Sequence, residues 1–225
     1  MTESIGPKLK VASVFIFLGF LMTLGMTATT ILNPGGGDLY ELRPTGDVIA
    51  DLVGASAQDI SIKLAALVFD NFFMIGYLCI FYGLYLLTRD GEKLIAKIAF
   101  LLGSLTFLTD MIENAIQVAL LTGVPNGWVP ADNIFSSLWV VMYVKDISSY
   151  MAGFTFIVLL LVFLSNPPEL RTSKLVFVIL LGLYVSLGVI AIIEPSFLLF
   201  RNLSFMIDLL FTSLLFRQIA AKLSD

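Results

Sequence analysis

The sequence predicts an all-helical fold: one domain of six membrane-spanning helices, and three observations carry that expectation. Of its 225 residues 58% are hydrophobic and 13% charged, with a mean hydropathy of +0.96. A soluble domain is typically about half apolar and about a quarter charged. The apolar residues come in long uncharged blocks, and a run of about 20 at 1.5 Å per residue crosses about 30 Å of hydrocarbon. The lysines and arginines gather at alternate ends of these blocks, as the positive-inside bias requires.

The first span covers about 10–32. Lys8 and Lys10 precede an apolar run from Val11 to Leu32, longer than a signal-peptide core, and TATT at 27–30 is a poor cleavage site, so the helix is expected to be retained. The connection 33–61 opens with NPGGGD and is rich in carboxylates. It lacks the GK[ST] that lets a glycine-rich loop hold phosphate, and it reads as a turn and an extracytoplasmic loop. Within it Asp47 to Val53 has apolar residues at helical spacing, the pattern of a short amphipathic segment lying on the outer surface or capping the bundle. Further spans follow at about 62–88, 96–122, 133–165, 174–193 and 197–219. The fourth is longer than a bilayer needs and is expected to tilt or project. Connections 89–95, 166–173 and 194–196 are short, which makes consecutive helices antiparallel neighbours.

One set of helix ends carries Lys8, Lys10, Arg89, Lys93, Lys97, Arg171, Lys174, Arg217 and Lys222, the other only Arg43, Lys63 and Arg201. Both termini are therefore expected on the cytoplasmic side of a plasma or inner membrane, with 33–61, 123–132 and 194–196 facing out. A faint repeat links LGFLMTLGMTA (18–28), LGSLTFLTDMI (102–112) and LGLYVSLGVIA (181–191), and the returning helices carry Asp70, Asp146 and Asp208. Three helical hairpins of common descent would produce that pattern, and so would chance, because Leu and Gly are common in membrane helices, where small residues allow close packing.

The chemistry of the chain lies in FLTDMIENAIQVALL at 107–121. Asp110, Glu113, Asn114 and Gln117 recur at i, i+3, i+4 and i+7, which places them on one stripe of the third span while the other faces are apolar. Helical rise puts Asp110 roughly 20 Å and Glu113 roughly 25 Å above the inner boundary. Asp70, Lys145 and Asp146 lie at roughly 27–30 Å and Arg201 at about 24 Å, with Asp208 deepest. A charge at the centre of such a helix opposes insertion by about 2.5–3.5 kcal/mol. Lys145 and Arg201 cannot pair Asp70, Asp110, Glu113, Asp146 and Asp208 between them, so protons, a bound cation or a cationic ligand must complete the set. An outward-opening polar vestibule is the simplest arrangement, with Asp110 and Glu113 at its core and Lys145 or Arg201 as counter-charge. Pairing of Lys145 with Glu113 and of Arg201 with Asp70 as helix glue is the structural alternative.

Several classes are excluded. The chain has no histidine and a single cysteine, Cys79, so imidazole chemistry and disulfide or thiolate frameworks within the chain are ruled out. No basic run points to nucleic acid, and no cofactor motif is present. The intramembrane aspartyl protease GxGD and the lipid phosphotransferase carboxylate pattern are missing, and Ser148 and Ser149 have only Lys145 nearby as an activator, which makes an intramembrane enzyme the weakest reading. Trp128, Trp139 and Tyr143 fit an outer aromatic belt and Tyr82 and Tyr85 an inner one; Tyr77 and Tyr150 are placed to hydrogen-bond the polar residues. The leading reading is a small transporter, channel or binding protein with a carboxylate-lined site. The alternative is an accessory subunit of a larger membrane complex, or a homo-oligomer, docking through a small-residue face of Gly19, Gly25, Gly182 and Gly188.

Overall fold

A computed structural model describes residues 5–32, 45–165 and 167–223. Among them are seven α-helices and no strand: α1 (Ile5–Leu32), α2 (Thr45–Gly54), α3 (Ala57–Thr88), α4 (Lys93–Gly123), α5 (Asp132–Val162), α6 (Arg171–Ile193) and α7 (Leu198–Lys222). All but α2 are long and apolar enough to cross a membrane. The NPGGGD turn lies outside the described residues.

Local sequence sets the helix ends. Ser56 caps α3 by accepting from the Asp59 backbone N–H while the Asp59 carboxylate takes the Ser56 N–H, a reciprocal box that satisfies two otherwise orphaned donors. The turn after α4 closes on Gly127 at φ 87°, a left-handed position that favours glycine. Pro168 and Pro195 stand at the starts of single 3-10 turns that lead into α6 and α7. α5 stops at Val162 rather than 165, so its 31 residues match the 31 of α4, and its length is not exceptional.

The six long helices form a closed ring in which each packs against its neighbour in sequence and α7 returns to α1. Asp110 faces Lys145 and Thr106 faces Ser148, which is the register of antiparallel α4 and α5. Ser213 donates to the Ser13 carbonyl at 2.9 Å, which ties late α7 to early α1 and brings the start of α1 and the end of α7 to the same end of the ring. α3 is the pivot, touching α1, α4, α5 and α7. α1 and α3 approach closely because glycines face each other: a Cβ built on Gly19 would lie 2.9 Å from the Gly76 Cα.

Two apolar clusters divide the interior. The larger, toward the start of α1 and the end of α7, gathers Leu9, Ile16, Met74, Phe81, Leu84, Phe156, Phe177 and Phe216 among others. The smaller, at the opposite end, joins Val48 and Leu52 of α2 to Leu67, Leu120, Leu121, Val124, Phe135 and Leu138. The amphipathic segment expected at 47–53 is thus a helix seated on the end of the bundle. Outward-facing surfaces remain strongly apolar, with Val11, Phe72, Leu101, Val140, Phe154, Ile179 and Phe200 all more than half exposed.

The three repeat segments do not make equivalent contacts. Gly19 meets Gly76, Gly103 meets Phe81, and Gly182 has open space. Gly25 lies against Phe69 and Gly188 against Tyr150. Three of the four glycines expected to face a partner are therefore used inside the bundle.

Candidate functional site

Between the two apolar clusters lies a polar layer built by α3, α4 and α5. The helical stripe of α4 turns inward as its spacing requires: Asp110, Glu113, Asn114 and Gln117 are all at most 4% exposed. α5 delivers Lys145, whose Nζ lies 2.5 Å from Glu113 Oε2 and 3.2 Å from Asp110 Oδ1. α3 delivers Tyr77, whose hydroxyl donates to Asp110 Oδ2 at 2.9 Å, and Asp70, which accepts from Asn114 Nδ2 at 2.6 Å. Gln117 Nε2 donates to Glu113 Oε1 at 3.0 Å, one turn along its own helix.

The layer is rich in acceptors and poor in donors. Asp70, Asp110 and Glu113 surround a single ammonium, and the buried Asn114 Oδ1 has no hydrogen-bond partner among the described residues. Buried acceptors in native proteins are nearly always satisfied, so an unsatisfied one beside excess carboxylate marks a place for a missing donor or cation.

The remaining site residues separate into two further groups. Arg201 of α7 donates to Asp146 of α5 through Nη1, 3.3 Å from Oδ2, and to the Tyr150 hydroxyl at 3.2 Å. The pairing of Arg201 with Asp70 suggested by their similar depths does not form. Arg201 is engaged by Asp146 and Tyr150 instead, and Asp70 by Asn114. Asp208 of α7 stands apart; it is 4% exposed, and its Oδ2 has no hydrogen-bond partner among the described residues.

Nor is the main stripe the lining of an open vestibule. Glu113 is fully buried, and only Lys145, Asp146 and Arg201, with side chains 19%, 26% and 21% exposed, form an accessible edge. α2 covers the near end through Val48 and Leu52.

The structure adds polar partners that sequence spacing alone did not single out. Thr106 and Ser148 share a hydrogen bond of 2.9 Å across α4 and α5, and Ser149 meets the Tyr184 hydroxyl at 2.7 Å. Lys174, counted above as a helix-end charge, is buried and donates to the Phe163 carbonyl at 2.6 Å, fastening the start of α6 to the end of α5. Serines and threonines commonly bond their own helix backbone, which is why they carry little signal before packing is known.

No protein-family model, curated protein or solved structure matches this chain.

Proposed function

We propose that the chain is a multi-pass membrane protein with both ends cytoplasmic, and that its α3–α4–α5 polar layer binds protons or a small cation as a compact transporter, channel or binding protein does. The observation that carries the reading is the imbalance of the layer: three buried carboxylates and an orphan amide oxygen against one lysine. Packing alone has no need of that excess, because each unpaired buried charge is destabilising. Six helices of spanning length and the exposed apolar flanks support insertion in a plasma or inner membrane, and the lysine and arginine asymmetry supports the orientation.

In this reading the structure is an occluded state. The larger cluster seals the layer from the cytoplasmic side and α2 seals the outer end, so exchange with the outside requires α2 to lift or the edge at Lys145, Asp146 and Arg201 to widen. Gly19, Gly25 and Gly188 face the chain's own helices, which favours this reading over the accessory-subunit alternative, while Gly182 stays open.

Reconstitution in liposomes tests this. With a proton, sodium or potassium gradient imposed and internal pH or cation followed by a dye, Asp110→Asn with Glu113→Gln is expected to reduce flux or equilibrium binding at least tenfold. A double variant that folds and matches the parent in both would end the reading.

A further inference from the structure

We propose that Asp208, with the small cavity beside it, is a second proton-exchange site, joined to Asp110 by one water molecule and the Tyr77 hydroxyl. The proposal rests on the proton-handling version of the reading above and adds a site and a route that the α3–α4–α5 layer does not contain.

The cavity lies at the junction of α3, α6 and α7, where Asp208 and Thr212 meet Tyr77, Phe81, Tyr184 and Phe205. Its room for the centre of a water-sized sphere is about 10 Å³, enough for about one molecule of water. Asp208 is more than nine-tenths buried, and Oδ2 lacks a hydrogen-bond partner among the described residues. An ionised carboxylate in such surroundings is strongly disfavoured unless something satisfies it. A proton on the carboxyl, or a water in the cavity, meets that need, and Tyr77, Tyr184 and Thr212 among the lining residues carry hydroxyls.

Tyr77 is the link. Its hydroxyl already donates to Asp110 Oδ2 at 2.9 Å, its oxygen can still accept a further hydrogen bond, and its side chain also lines the cavity. Transfer balances without a further reactant. Asp208 gives a proton to the water, the water gives one to Tyr77 Oη, and the proton that Tyr77 held passes to Asp110. Among the described residues no other titratable side chain lines the cavity. α1 carries none between Val11 and Leu32, and the cavity wall offers only Tyr77 from α3, Tyr184 from α6 and Asp208 itself from α7. Tyr184 is bonded to Ser149, away from the acidic layer.

Infrared spectroscopy of the full chain in lipid nanodiscs tests the proposal without reference to flux. A protonated-carboxyl stretch that moves on transfer to D2O is expected in the parent, lost in Asp208→Asn and displaced in Asp208→Glu, so that the assignment does not depend on one variant folding. Tyr77→Phe is expected to slow the D2O exchange of that band at least tenfold. A spectrum without such a band across acid to alkaline pH overturns the site, and exchange indifferent to Tyr77→Phe overturns the route. The reading of the main layer stands or falls separately, on the liposome assay with Asp110 and Glu113 replaced.

Discussion

Replacing Lys145 with methionine removes the one ammonium in the α3–α4–α5 layer while keeping most of its length. At 3.2 Å from Asp110 Oδ1 the attraction is about 5 kcal/mol at an effective dielectric constant of about 20, and the contact with Glu113 is closer still. Desolvation of three ions and repulsion between the two carboxylates offset most of that gain. What remains is the penalty for leaving buried carboxylates unpaired, about 3–5 kcal/mol when one partner is deleted. Because the Lys145 side chain is 19% exposed, the lower end applies. The expected loss is about 3 kcal/mol, or about a hundredfold in the folded-to-unfolded ratio. Denaturant unfolding in micelles, followed by the fluorescence of Trp128 and Trp139, measures it. Adding Asp110→Asn and Glu113→Gln to Lys145→Met removes the stranded charges and is expected to recover about 2 kcal/mol. A triple variant no more stable than Lys145→Met alone would refute the argument that uncompensated charge, rather than lost packing, is what the lysine prevents.

Four further outcomes follow from other parts of the fold. Leu52→Ala takes a side chain only 2% exposed out of the contact between α2 and the bundle, and is expected to weaken docking by about 2 kcal/mol; faster amide exchange confined to 45–54 would show it, and unchanged exchange would mean that α2 is held by something else. Gly76→Val forces a side chain onto the Gly19 backbone and should cost about 1–3 kcal/mol in the same unfolding assay. Gly182→Ala, which meets nothing within 4 Å, should be neutral or stabilising by up to about 1 kcal/mol. With Cys79 replaced by alanine, a cysteine at Asp90 is expected to react with an impermeant maleimide only from the cytoplasmic side and one at Asn126 only from the outside; the reverse pattern would invert the orientation.

Much of this protein is legible before any coordinates. A spanning helix is set by a run of apolar residues, and an inward stripe by 3.6-residue periodicity, both of which are properties of a single segment. The six long helices, the amphipathic pattern of 47–53, and the shared inward face of Asp110, Glu113, Asn114 and Gln117 follow from those local rules. The count of cations against carboxylates likewise shows that Lys145 and Arg201 leave acid groups over.

Partner choice was decided only by the tertiary structure. Helical rise gives depth, and depth placed Arg201 near Asp70 and Asp146 alike. Which one it meets depends on how each helix is rotated about its axis and where it stands in the ring. That rotation is set by contacts between segments far apart in sequence, such as Gly19 on Gly76, Phe81 on Phe156 and Ser213 on Ser13. The same packing closes the polar layer that the spacing alone suggested would be open, and leaves Asp208 by itself beside its cavity. Periodicity says which way a residue faces on its own helix; only the assembled ring determines what is waiting there.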